Sequence, residues 1–346
     1  MAHVVAALFA VLLAMVPDAL QAQPATTRLT FASTFPGSMA LIGEAATRLP
    51  QKIARASGGE IDLQFNEPDR LVPAARTLFA VADGTVDAGW GGAGWFAEVD
   101  TAFNMFSSVP FGPGVGEYMA WMYYGGGLAE AREMFARHNL HNIPCAVIPP
   151  EASGWFRKEI RSVADLRGLR MRFFGLGARV MEKLGVTTRL IAPGAILEAL
   201  ENGTLDATEF SLPAMDQKLG FQRVAKYYYF PGWHQQATFF DLYINLQKWN
   251  ALADRHKAII ELACGDMIRE AIAEGEAAQW KAMTEMQAAG VQIRRWPPDV
   301  IAAMESAWNE VVSEESRRNE NFRRIYDSYE TFRRNYAIWR DHAYLR

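Results

Sequence analysis

Arg172 lies inside Leu169–Phe173 (LRMRF), a strand pattern whose other side chains at 169, 171 and 173 are apolar. A guanidinium in such a strand is costly unless it is paired. An anionic ligand is one good partner, because the planar fork matches a carboxylate. A structural salt bridge is the more ordinary one. Glu209 and Phe210 follow a strand-forming phrase, where a strand hands its residues to a cleft. Such a glutamate can accept hydrogen bonds, face water, or hold a cation with help from a neighbouring carbonyl. Glu151 stands just after Pro149-Pro150, where the chain crosses between two halves. An exposed loop acid is its plainer reading. His234 sits in the aromatic run Tyr227–Gln236 and reads as a packing histidine.

Catalytic signatures are missing. There is no P-loop, HExxH, CxxC or GxSxG pattern, and no histidine is linked by sequence to a nucleophile. This lowers the prior for an enzyme.

The elements that must position these residues are announced by a phrase used twice. LFAVADGTVDAGW covers 78–90 and LEALENGTLDATEF covers 197–210. Each is a helix end, a Gly cap and a short strand, the helix-to-strand half of a βαβ unit. Two copies predict two similar α/β lobes with a ligand cleft between them. The first copy leads into Gly91-Gly92-Ala93-Gly94-Trp95 at a strand's carboxyl end, which faces the ligand in open α/β sheets. Strands are expected at 28–33, 61–66, 86–90, 142–148, 169–173, 187–191 and 239–246. Helices are expected at 40–57, 73–82, 115–138, 178–184 and 194–201. From Trp249 onward the pattern is almost wholly helical, over 251–289 and 298–346.

A length of 346 residues accommodates about two domains at ~150 residues each. The net charge of −4 argues against nucleic acid as the main partner. Val4–Val16 is an apolar run too short to span a bilayer, ended by Pro17-Asp18, with a small residue at Ala22. It reads as a secretory signal peptide over 1–22, although its first residues carry only His3 and no Lys or Arg. No later stretch is long and apolar enough to cross a membrane. The two cysteines, Cys145 and Cys264, make no disulfide framework and are expected as buried free thiols.

Taken together, VADGTVDAGW, SVPFG (108–112), YYGGG (123–127), GWFRKEI (154–160), ADLRGLRMRFFGLG (164–177), GFQRVAKYYYFPGWH (220–234) and INLQKW (244–249) make the chain similar to a known family. It resembles the DctP-type extracytoplasmic solute-binding proteins of TRAP transporters. The nearest branch binds 2-oxo or 2-hydroxy monocarboxylates with a metal ion. The resemblance implies a two-lobed periplasmic binding protein fold with hinge strands and a long helical C-terminal region. Lobe I would comprise 23–150 and 238–275, lobe II 151–237 and 276–312, and 313–346 a C-terminal extension. It implies that Arg172 binds the ligand's carboxylate, that Trp95 lies over the ligand and that Ser153 faces it. It implies a metal held by Glu209, the carbonyl of Phe210, Gln235 and Glu151. Relatives often have Gln where this chain has Glu151, and Glu where it has Gln235. The exchange keeps two carboxylates, which favours Ca²⁺ and is compatible with Na⁺. The N-terminal entry loop carries Phe35-Pro36-Gly37 where relatives often have Trp. Implied partners are a small carboxylate, the membrane permease and a second copy through the C-terminal helix. The rival reading is a periplasmic enzyme acting on a small acid.

Overall fold

A computed structural model describes residues 26–344. The expected leader lies outside the described residues. The chain begins with β1 (Thr27–Ser33), α1 (Ile42–Ala56), β2 (Ile61–Asn66), α2 (Thr77–Asp83) and β3 (Ala88–Gly91). Gly84 closes α2 at φ 83°, a left-handed cap that suits glycine. Then come α3 (Val115–Tyr124), α4 (Gly127–Ala136) and β4 (Leu140–Ile148). A second region holds β5 (Gly154–Phe156), β6 (Arg170–Arg172), α5 (Leu176–Lys183), β7 (Thr187–Arg189) and α6 (Pro193–Glu201). It continues with β8 (Ala207–Thr208), α7 (Pro213–Leu219) and β9 (Tyr227–Phe230). The chain returns through β10 (Thr238–Asn245), α8 (Leu246–Ala251) and α9 (Asp254–Ala288). It ends with β11 (Gln292–Arg295), α10 (Pro298–Arg318) and α11 (Glu320–Ala343).

Two sheets form, one per lobe. The first has the order β2-β1-β3-β10-β4 and the second β11-β9-β5-β8-β6-β7. β1 runs parallel to β2 and β3, as βαβ units require. The aromatic run at 239–246 is β10, inserted antiparallel between β3 and β4 and buried throughout. The chain passes between the sheets from β4 to β5, from β9 to β10, and along α9 to β11. The first two passages lie side by side. Glu151 N–H donates to Gln235 O at 3.1 Å, and Gly232 N–H donates to Glu151 O at 3.0 Å. A Cβ on Gly232 would stand 2.2 Å from Glu151 O, so the approach depends on glycine.

Three expectations are corrected. The stretch 115–138 is two helices, because Gly125 and Gly126 break it and Gly126 is left-handed at φ 98°. The helical stretch from 298 also divides into two helices, α10 and α11, because the Asn319 side chain caps α11 by accepting from Phe322 N–H. The cysteines are not free. α9 packs along β4 and brings Cys264 to Cys145, which form a disulfide with their Cα atoms 4.2 Å apart. Their separation of 119 residues hid this neighbourhood. α10 packs on α5 of the second region, whereas α11 lies back on α3 and α4 of the first. No helix among the described residues is long and apolar enough to cross a membrane.

Candidate functional site

The second Gly-Thr-Leu-Asp-Ala phrase puts Ala207–Thr208 into β8, directly beside β6. Glu209 N–H then donates to Arg172 O at 3.0 Å. Arg172 and Glu209 are therefore neighbours by register. Arg172 Nη1 donates to Glu209 Oε2 at 2.7 Å and to Glu209 O at 2.9 Å. Phe174 N–H donates to the same Oε2 at 3.0 Å. Both residues of the pair are buried, and the Arg172 guanidinium also lies 5.2 Å from the centre of the Phe210 ring.

The two crossing segments add Glu151 and Gln235. Gln235 Nε2 donates to Glu209 Oε1 at 3.2 Å, and its own Oε1 accepts from Thr238 Oγ1 at 2.8 Å. Glu151 Oε1 accepts from Ser211 Oγ at 3.2 Å. Glu151 Oε2 is buried with no hydrogen-bond partner. Burial, then the charges of Glu209 and Asp216, push the Glu151 carboxyl well above the usual carboxylate range. A cation at this point would relieve both penalties.

His234 joins the cluster, which its sequence context did not suggest. Its Nε2 lies 3.4 Å from Glu209 Oε1 and 3.8 Å from Glu151 Oε2. The ring packs on Phe173 and Trp233 as a core histidine would, yet neither nitrogen has a hydrogen-bond partner. One ligand atom each from Glu151, Glu209 and His234 falls within 4.8 Å of the others. The one available signal was the position of His234 directly before Gln235. Two carboxylates, one with a buried unpartnered oxygen, suit a hard cation, so the residues present fit a metal ion.

Glu151, Arg172 and Gln235 form one wall of a cavity of about 30 Å³, with Ser211 and Thr238 beside them. One water needs roughly 10–15 Å³ on this scale, so the space suits a small solute. The facing walls are the apolar side chains of Phe35, Ile42, Trp95, Phe174, Phe210 and Phe240. The first repeat phrase delivers Trp95, whose ring meets Phe174 from the other sheet at 5.8 Å. A Cβ on Gly94 would come within 2.5 Å of Phe174 Cζ, so glycine lets the two rings meet. Phe35 of the entry loop packs edge-on against Phe240. Ser153 departs from its expected role. Its Oγ donates to Pro231 O at 2.6 Å and ties the crossing segments together, and it is not among the cavity's lining residues.

A family model described as bacterial extracellular solute-binding protein, family 7 (DctP), matches residues 32–319. A monocarboxylate 2-oxoacid-binding periplasmic protein of Nostoc sp. is 30% identical over 322 residues, covering 93% of this chain and 88% of that protein. A TRAP transporter solute-binding protein of Bordetella bronchiseptica has 34% identity and a TM-score of 0.90, over 93% of this chain and 95% of that one. That structure is a mixed-occupancy dimer with copurified calcium and picolinate in one site. A periplasmic TRAP protein of Pseudoalteromonas atlantica, with bound sodium and pyruvate, has 26% identity and a TM-score of 0.88 over 92% of this chain and 97% of that one. All are solute-binding proteins of transport rather than enzymes. The two-lobed α/β architecture, the cavity between the lobes and the match over most of its length agree: this chain belongs to the DctP family of extracellular solute-binding proteins of TRAP transporters.

Proposed function

We propose that the protein captures a small 2-oxo or 2-hydroxy monocarboxylate, of the pyruvate or lactate kind, in the periplasm and passes it to a TRAP permease. The observation that carries this reading is the two-sided cavity. One wall holds Arg172, Glu151 and Gln235, with Glu209 behind them bonded to Arg172 and Gln235, and the others are aromatic or aliphatic. The polar wall offers one anchoring point for a carboxylate. The apolar walls offer none for a second, which favours monocarboxylates over diacids.

Arg172 orients the acid's carboxylate with donors not already spent on Glu209, since its Nε is buried without a partner. Trp95 closes over the acid. Glu209, Glu151, Gln235 and the Phe210 carbonyl would hold the cation, with His234 alongside. Bound there, the cation supplies positive charge that fixes the carboxylate and its neighbouring 2-oxygen together. Picolinate and pyruvate, the ligands of the two related structures, both present a carboxylate with a second donor on the adjacent carbon. That common chemistry supports a chelating acid. Two carboxylates favour Ca²⁺ over Na⁺.

The lobes comprise 23–150 with 238–275 and 151–237 with 276–312, and they close by a hinge motion about the crossing segments. The segment 313–346 is a C-terminal helical extension, whose α11 lies back on the first lobe. The apolar leader directs export. Calorimetry on the chelator-treated protein tests the reading. Pyruvate or lactate should bind saturably when Ca²⁺ is restored and weakly without it. Equal binding with and without the cation, or none at all, overturns it.

A further inference from the structure

One sequence motif is not used by the site as described. The SVPFG turn, 108–112, belongs to the first lobe and touches the crossing segment just before Gln235. Phe111 adopts φ 52°, the left-handed region that a bulky residue enters only when its surroundings demand it. Those demands are visible. Phe111 N–H donates to Trp233 O at 2.6 Å, and its ring lies 5.5 Å from the Trp233 ring. Phe111 O accepts from Arg333 Nη1 of α11 at 3.2 Å. Arg333 is held in turn by Glu117 Oε1 at 3.1 Å and lies over the Tyr329 ring. The turn has no room to relax beneath it. A Cβ on Gly112 would meet Val109 O at 2.5 Å.

On the other side of Trp233 stand the site residues. Its ring packs against His234 and Phe173, the neighbours of Gln235 and Arg172. Trp233 also lies in the tight turn where Gln235 N–H donates to Gly232 O at 3.2 Å. From the second lobe, Glu151 and Ser153 hold the backbone of this segment at Pro231, Gly232 and Gln235, which leaves the Trp233 carbonyl to a partner from elsewhere. Phe111 supplies a bond and a ring from the first.

We propose that Phe111 is a positioning residue for the cation site. It is braced by Arg333 of α11 and holds Trp233 so that His234 and Gln235 face Glu209. This rests on the metal-binding reading above. The C-terminal helix thereby contributes to the site without touching it.

The test compares variants of the full chain with Ca²⁺ alone as the probe, followed by pyruvate at saturating Ca²⁺. Phe111→Gly keeps both backbone hydrogen bonds and releases the strain, and loses only the ring. It should weaken Ca²⁺ binding by roughly tenfold or more, as loss of outer support does at metal sites. Pyruvate affinity at saturating Ca²⁺ should change by less than about threefold, because Arg172 is untouched. Phe111→Tyr should restore Ca²⁺ binding to within about twofold of wild type, since the ring contact is retained. Arg333→Gln is the second variant, should the first not fold, and should weaken Ca²⁺ binding in the same direction. Unchanged Ca²⁺ affinity in folded Phe111→Gly and Arg333→Gln overturns the positioning role and leaves the proposed function standing. Equal losses for Ca²⁺ and pyruvate in both variants overturn it as well. Failure of the wild type to bind Ca²⁺ overturns both.

Discussion

Arg172 Nη1 and Glu209 Oε2 meet at 2.7 Å in the interior, and the same Nη1 also reaches Glu209's own carbonyl. The arginine that the sequence offers to an anionic ligand is thus already neutralised by the acid that the sequence offers to a cation. Each charge keeps the other tolerable until ligand and ion arrive.

This pairing sets the outcome of Arg172→Ala. The variant should lose carboxylate binding, and it leaves Glu209 buried without its partner. Breaking a buried pair costs about 3–5 kcal/mol. Urea unfolding in chelator should show that loss, and added Ca²⁺ should recover part of it by neutralising Glu209. A variant as stable as wild type in chelator would show that the pair is not structural.

Gly232→Ala tests the crossing. Its Cβ would press on Glu151 O, which pairs with Gly232 N–H. Separating the segments displaces both Glu151 and Gln235, so pyruvate binding should fall by roughly tenfold or more. Unaltered affinity, measured calorimetrically in Ca²⁺, would mean that the contact relaxes without moving the site.

Asp241 gives a pH signature away from the cation site. Burial raises its pKa from 3.8 to about 7, although Asn142 Nδ2 donates to it at 3.0 Å. Between those values the folded chain holds one proton more than the unfolded chain. Stability therefore falls as pH rises from about 4 to about 7, by a few kcal/mol. Asp241→Asn should flatten that part of the slope in urea titrations at several pH values. Asp216, raised in the same way by burial, should account for a similar residual slope.

The Cys145–Cys264 bond closes a chain segment with a sequence separation of 119. Reduction, or a double Cys→Ala variant, should cost about 2–5 kcal/mol in equilibrium unfolding. Identical unfolding curves with and without reductant would contradict this.

Much of the site was legible because strands hand over residues in a fixed order. Glu209 follows the second repeat phrase, Arg172 sits in the strand that must pair with it, and Trp95 follows the first. Each could be found without a partner in view. His234 was hidden because its ring does pack, and only its unpartnered nitrogens distinguish it from a core histidine. The disulfide and the return of α11 onto α3 and α4 depend on contacts more than 100 residues apart, which no local pattern encodes. The break at Asn319 was readable. Asn before Glu320-Asn321-Phe322 is a helix-start signature inside an otherwise continuous helical pattern.

α9 is 35 residues long and reaches from one sheet to the other. The disulfide rivets it at Cys264 to β4 of the first sheet. The turns before that rivet belong covalently to the first lobe. Beyond it runs an unriveted arm of roughly 36 Å at 1.5 Å per residue. That arm passes Pro149 at Gly275, where a side chain would collide with the proline ring. Past that point it packs on α7, where Ala214 N–H donates to Gln279 Oε1 at 3.0 Å and Gln217 Nε2 donates to Glu285 Oε2 at 2.9 Å. The bond that looks like simple reinforcement thus makes one helix a shared beam, covalently tied to the first sheet near its start and packed on the second region near its end.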